Sequence, residues 1–259
     1  MKVGVFQSAC GGMDPQQRIA KLKLALSDHS VDLVVCPELF ASGYNIGDDL
    51  KRLALPAKGA YFEAIATLAK ETGACIAYGY PELGDGCLYN SAACVSPEGN
   101  LLANHRKRAN SPGSFEEDYF TPGDGSSAFD VKGVNVCLLI CYEVEFPETV
   151  REAAAQSAQL VIVPTALVAQ WDIVANRVVP ARAFENGVWV AYANHAGEEN
   201  GFSYLGGSRI VAPDGREAAV AGADEEFIVA DIDVERVKSA QARLPYLRDV
   251  GRFRPDCRA

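Results

Sequence analysis

Cys141 ends an apolar, strand-forming run, Val134 to Ile140, and opens the segment Cys-Tyr-Glu-Val-Glu-Phe-Pro-Glu. A thiol at such an elbow sits at the exposed end of a sheet, where backbone N–H groups can face developing negative charge. To attack carbon it must be ionised or lose its proton during attack, so a base has to stand beside it. The chain has three histidines, His29, His105 and His195. His29 lies in a polar loop, and His195 follows a strand-like run. A Cys141–His195 dyad is one reading, without local support. Glu38 and Lys107 are better placed. Glu38 follows the buried run ending at Cys36, where Pro37 stops ladder pairing. Lys107 follows Leu101–His105. Taken singly, Glu38 reads as a capping or surface glutamate and Lys107 as part of a solvated basic cluster. Together with Cys141 they share one placement, one to three residues past the end of an apolar strand, the edge where α/β sheets build sites. A partly buried carboxylate there has a raised pKa and serves as a base near neutral pH.

The elements that must position these groups alternate between strand and helix patterns. Strands are expected at Val3–Ser8, Leu33–Cys36, Cys75–Tyr78, Ser91–Val95, Leu101–His105, Val134–Cys141, Leu160–Val163, Val188–Ala193, Ser208–Ala212, Ala218–Val220 and Phe227–Ile232. Helices are expected at Pro15–Ser27, Ala60–Thr72, Pro147–Gln156, Ile173–Glu185 and Val234–Ala242. Pro97-Glu98-Gly99-Asn100 and Pro213-Asp214-Gly215 read as hairpin turns. Hairpins interleaved with βα units predict mixed sheets, and this many strands predicts two packed sheets with helices on the outer faces. No repeat, low-complexity segment or linker divides residues 1–259, so one domain is expected. Residues 244–259 are apolar but aperiodic, as expected of a tail docked on a second subunit.

Bulk properties narrow the function classes. A formal charge of −10 without a Lys/Arg cluster argues against nucleic-acid binding. No run of apolar residues is long enough for a membrane span, and the N-terminus reads as a strand instead of a signal peptide. Eight cysteines include no CxxC pair, and Cys36, Cys75, Cys94 and Cys137 lie in strand-like runs as small buried hydrophobes. A reduced, cytoplasmic protein is expected.

The chain resembles the nitrilase superfamily, the carbon–nitrogen hydrolases with a Glu-Lys-Cys triad. Cys36-Pro37-Glu38-Leu39-Phe40 with Ser42-Gly43-Tyr44 matches the glutamate motif. His105-Arg106-Lys107 matches the lysine motif, and Ile140 to Glu148 matches the cysteine motif. Phe115 to Asp124 matches the segment carrying a second glutamate, which falls on Glu116 in preference to Glu117. The resemblance implies an α/β fold, a four-layer αββα sandwich of two mixed sheets flanked by helices, that dimerises. It implies no metal or organic cofactor and a small-molecule amide as substrate. It implies that Glu38 is the base, Cys141 the nucleophile forming a thioester, Lys107 the oxyanion partner and Glu116 an accessory group. Tyr44, Tyr142 and Ala166 are then expected to contact substrate or the oxyanion, the Tyr142 N–H in particular. Within the superfamily, the likeness runs to aliphatic amidases, including those cleaving 5-aminopentanamide.

His105, Arg108-Ala109-Asn110, Glu143 and the loop Thr165-Ala166-Leu167 depart from the common family residues, and these departures bear on the substrate pocket and leave the triad intact. Three rival readings remain: an N-carbamoyl hydrolase, for which Arg177 and Arg182 are the candidate contacts; a nitrilase, against which Cys141-Tyr142-Glu143 speaks; and a non-catalytic binding protein. Glu143, Glu145 and Asp172 are candidates to favour an amine-bearing substrate, or else only to flank the following helix.

Overall fold

A strand that is apolar at every position needs cover on both faces, and the central strands of this chain meet that need in four layers. The computed structural model describes residues 1–253. In its first half, β1 (Lys2–Gln7), α1 (Pro15–Ser27), β2 (Leu33–Val35), α2 (Asp49–Leu53), α3 (Ala60–Thr72), β3 (Cys75–Gly84), β4 (Cys87–Val95), β5 (Leu101–Arg106) and α4 (Glu116–Tyr119) follow one another. Then come β6 (Ser127–Val131), β7 (Val134–Leu138), α5 (Pro147–Ala155), β8 (Leu160–Pro164), α6 (Val179–Asn186) and β9 (Trp189–Ala193). The chain closes with β10 (Glu198–Glu199), β11 (Phe202–Ser203), β12 (Arg209–Val211), β13 (Glu217–Val220), β14 (Glu226–Asp231), α7 (Val234–Arg243) and α8 (Tyr246–Asp249).

One sheet runs β14-β1-β2-β3-β4-β5 and the other β6-β7-β8-β9-β12-β13. Both repeat one pairing scheme. An antiparallel edge strand is followed by three parallel strands and then by two antiparallel ones. The repeat is one of topology, with no counterpart in the sequence. Val3, Val5, Leu33 and Val35 face Val136, Leu138, Leu160 and Ile162 between the sheets. The alternate residues Val34, Cys36 and Ile76 face Leu22 of α1 and Ile65 of α3. On the other side, Cys137, Val161 and Val190 face Val150 of α5 and Ala183 of α6. The structure is therefore an αββα sandwich of two mixed sheets.

Local signals account for most boundaries. Asp14 caps α1 in a reciprocal capping box with Gln17, and Pro15 opens the first turn. Gly73, at φ +70°, ends α3. Several boundaries differ from expectation. β3 and β4 form one long hairpin whose Asp85-Gly86 turn has φ of 54° and 75°, a type I′ signal that the sequence reading passed over. β6, α2, α4 and the β10–β11 pair were not anticipated. β7 stops at Leu138, three residues short of the thiol, because the chain leaves the ladder there to enter a 3₁₀ turn over Cys141–Glu145. The expected helix at 173–185 is a π turn, Val174–Val178, running into α6. The tail is not wholly irregular: α8 packs Leu247 into the α5–α6 core, and Tyr246 lies edge-on to Phe184 at 6.2 Å. Pro255 and Cys257 lie outside the described residues. Among the described residues no helix is long and apolar enough to cross a membrane.

Candidate active site

The ends of β2, β5, β7 and β8 meet at one point between the sheets. Glu38 lies three residues past β2, and its N–H donates to the Thr165 carbonyl just past β8 at 3.3 Å. Lys107 is the first residue beyond β5. Its backbone is pinned on both sides, its N–H to Asn90 O at 2.8 Å and its carbonyl to the Gly123 N–H at 2.7 Å. Cys141 lies three residues past β7 with φ at +46°, a conformation L-residues rarely adopt. A non-glycine residue held there at a strand end is a strained elbow.

The side chains converge. Lys107 Nζ donates to Glu38 Oε1 at 2.8 Å, to Glu116 Oε1 at 2.8 Å and to Glu116 Oε2 at 2.7 Å. Asn90 Nδ2 donates to Glu38 Oε1 at 2.7 Å. Tyr44 donates its hydroxyl to Glu116 Oε1 at 2.5 Å, and the Ser111 N–H donates to Glu116 Oε2 at 3.1 Å. Glu38 Oε2, by contrast, is buried with no hydrogen-bond partner. Glu38 and Glu116 are fully shielded from solvent, and Cys141 is 8% exposed at the floor of a cavity of about 790 Å³. Tyr44, Tyr142 and Ala166 line that cavity, as does Ser111. Glu117 is exposed and binds the Gly113 N–H.

Burial raises the Glu38 pKa to about 7; the Glu116 charge adds to this, against the pull of Lys107 and Asn90. Burial would raise Glu116 too, but the Lys107 charge and its hydrogen bonds with Lys107, Tyr44 and Ser111 hold it below the usual carboxylate value. Burial works against the Lys107 ammonium, yet Glu116 and Glu38 outweigh it and raise its pKa. The Cys141 thiol is pushed up by burial and by the Glu38 charge, against the opposing effects of Lys107 and the Ala166 N–H. The site thus sets a thiol whose ionisation burial disfavours beside an ammonium and two carboxyl groups, one of which has a free oxygen and a pKa near neutrality.

His195 is not part of a dyad. Its Nε2–H donates to the Glu38 carbonyl at 2.7 Å, and burial lowers its pKa to about 4. It is a neutral donor behind the carboxylate. Of the departures, Ala166 and Leu167 line the cavity, whereas His105, Arg108 and Glu143 do not; these three answer one another. Glu143 accepts from His105 Nε2 at 2.8 Å, from the Ile140 N–H at 2.6 Å and from Arg108 N and Nε at 3.2 and 3.1 Å. This clamp ties the Cys141 turn to the end of β5. Of the three acidic candidates, Glu145 alone lines the cavity; Glu143 is turned into the clamp, and Asp172 is exposed beside Asn176.

Glu199 is a buried neighbour of the candidate site that the sequence reading missed. Its Oε2 accepts from Tyr44 N, Asn45 N and the Tyr204 hydroxyl at 2.9, 2.7 and 3.1 Å, and Oε1 pairs with buried Arg18 at 3.3 Å. It fixes the loop that delivers Tyr44 to Glu116. In sequence, Glu198-Glu199-Asn200-Gly201 reads as a polar turn, and no signal separates it from one.

The profile of the family described as "Carbon-nitrogen hydrolase" matches residues 2–242. A protein of Pseudomonas protegens described as "Hydrolase in pqqF 5'region" is 38% identical over 96% of this chain and 88% of its own length. An (R)-stereoselective amidase from a Pseudomonas species is 32% identical over 96% of this chain and 91% of its own. Among solved structures, a variant of the amidase from Nesterenkonia sp. AN1 in complex with butyramide superposes with a TM-score of 0.84 at 32% identity, covering 95% of each chain.

Proposed function

The chain belongs to the carbon–nitrogen hydrolase family and acts on amides, and on that footing we propose that it hydrolyses linear aliphatic carboxamides, ω-amino ones included, through a thioester on Cys141. Glu38 takes the thiol proton as sulfur attacks the amide carbon. Because the thiol pKa is raised, proton transfer accompanies attack instead of preceding it. Negative charge gathers on the carbonyl oxygen, where the Lys107 ammonium and the Tyr142 N–H receive it; one such donor is worth about 3 kcal/mol. The tetrahedral intermediate collapses, Glu38 returns its proton to the departing nitrogen, and ammonia leaves the acyl group on sulfur. Glu38 then deprotonates a water that hydrolyses the thioester, restoring the thiol.

Glu116 has a physical task in this scheme. A lysine alone beside Glu38 would depress its pKa and weaken it as a base. A second carboxylate on the same ammonium shares that charge and keeps Glu38 basic. The observation that carries the reading is the lone unpartnered oxygen of fully buried Glu38, in a carboxylate otherwise held by Lys107 and Asn90.

Mixing the protein with butyramide and measuring intact mass tests the chemistry. A transient butyryl adduct that maps to Cys141, with release of ammonia, is expected. Turnover without an adduct in rapid-quench samples, or retained turnover in Cys141→Ala, would refute it. The nitrile of the same acyl chain should be turned over far more slowly. In the same reading the enzyme works as a homodimer in a reducing compartment. The seven described cysteines are all free, and the part-exposed Phe184–Tyr246 pair offers an apolar surface to a second copy; light scattering checks the mass.

A further inference from the structure

The 3₁₀ turn that begins with the nucleophile ends with Glu145, and both residues line the cavity. At about 2 Å of rise per residue their backbones stand ~8 Å apart along the turn. Arg182 Nη2 donates to the Glu145 backbone carbonyl at 2.6 Å. Its carboxylate has no ion pair or hydrogen bond among the described residues, although it is only partly exposed. Arg182, a candidate contact in the N-carbamoyl reading, directs its donors to the Val144 and Glu145 carbonyls and to Glu185. Arg177 is exposed and does not line the cavity.

The surroundings sharpen the point. Among the described residues, Glu145 is the sole acid in the cavity lining, and no Lys, Arg or His lines it. Lys107 lies beneath the floor, matched by two carboxylates, so the catalytic cluster itself carries net negative charge. The walls include Tyr142, Trp171 and Phe202, whose ring faces attract cations. A volume of about 790 Å³ is far more than a four-carbon amide fills. An unpaired, half-shielded carboxylate in an aromatic chamber without basic residues is built to receive a cation.

We propose that Glu145 is a specificity-determining residue, the counter-ion for a cationic group at the far end of the substrate's acyl chain, and that the chamber disfavours acyl chains ending in a carboxylate. The proposal rests on the reading of Cys141 as nucleophile, which sets where the acyl chain starts. It places the preferred substrates among ω-amino or ω-guanidino carboxamides with several methylenes between the two ends. It also separates this enzyme from hydrolases of carbamoyl amino acids, since the free carboxylate of such a substrate would meet Glu145 with no basic residue in the cavity lining to offset it.

Three amides of matched length test this: 5-aminopentanamide, hexanamide and 5-amino-5-oxopentanoate, each with wild type and Glu145→Gln. Wild type is expected to favour the amine over hexanamide in kcat/KM by on the order of tenfold or more, mainly through KM. In Glu145→Gln that ratio should fall to near one, while the ratio for the carboxylate over hexanamide rises. Glu145→Lys should invert the order of amine and carboxylate. Equal amine-to-hexanamide ratios in wild type and Glu145→Gln overturn the proposal. Calorimetric binding of the three amides to Cys141→Ala, with and without Glu145→Gln, decides the matter without turnover. A cation preference lost with Glu145→Gln upholds the role of Glu145 even if none of the three is hydrolysed, in which case the amidase reading fails alone. No cation preference in Cys141→Ala overturns the role of Glu145.

Discussion

Two buried glutamates, Glu38 and Glu143, flank the same strand end and do opposite work. Both are at most 1% exposed, and each binds a basic residue of the 105–108 segment. Glu143 has both oxygens filled, by His105, the Ile140 N–H and Arg108. Burial would raise its pKa, but these partners hold it below the ordinary value. Glu38 has one oxygen filled and one free, and burial, with the Glu116 charge adding to it, raises its pKa to about 7 against the pull of Lys107 and Asn90. Burial alone does not make a base. In the proposed mechanism the carboxyl that burial and a competing carboxylate raise is the base, and the same burial with every acceptor filled leaves Glu143 a fastener.

The contrast breaks most visibly in turnover. Cys141→Ala should reduce kcat below detection while the unfolding midpoint stays near wild type. Glu38→Gln should cost on the order of 10²- to 10⁴-fold in kcat, again with the fold kept. If Glu143→Gln cost as much in kcat as Glu38→Gln, the division between base and fastener would not hold.

Glu143→Gln should instead show in stability. Its amide nitrogen would face the Ile140 or His105 donor, leaving buried groups unsatisfied at a cost of about 2–3 kcal/mol by urea unfolding.

The pH dependences of the two residues have opposite signs. Glu38, with its folded pKa raised from 4.5 to about 7, contributes stability below pH 4.5 that is lost as pH rises through about 7. Glu143, with its folded pKa lowered, contributes stability above 4.5 that is lost as pH falls. Each Gln variant should flatten its own limb of a plot of urea midpoint against pH. In kinetics, kcat/KM should rise about tenfold per pH unit up to about 7 and then level, since the ionised Glu38 is the active form. Glu116→Gln removes the like charge, so that limb should move to lower pH; a limb that stayed in place would deny Glu116 its task.

The smallest effect belongs to His195→Gln. A neutral donor to the Glu38 carbonyl should be worth about tenfold in kcat, with the pH limb unmoved. A limb that vanished would restore the Cys141–His195 dyad.

Much of this was legible from residues alone, for a physical reason. Glu38, Lys107 and Cys141 each lie just past an apolar run, and a run of that kind has to become a covered strand. Where a strand ends, the next polar residue leaves the core at the sheet's edge, so three such residues can meet there. The resemblance to the family segment ending in Phe120 and Pro122-Gly123 implied Glu116 over Glu117. The Asp85-Gly86 turn was readable by its residue types and was passed over. Glu199, by contrast, could not be read: its partners Tyr44 and Asn45 lie 155 and 154 residues away.

The sequence by itself marked out Cys141, Glu38 and Lys107 as the candidate site and the sandwich that carries them, because strand patterning and strand ends are local properties of the chain. Only the tertiary structure decided which buried glutamate keeps a free oxygen. It alone showed that His105, Arg108 and Glu143 satisfy one another instead of the substrate. It alone left Glu145 facing the cavity without a partner. Those outcomes depend on how many donors reach each carboxylate, and the donors arrive from chain segments that nothing in the local sequence brings together.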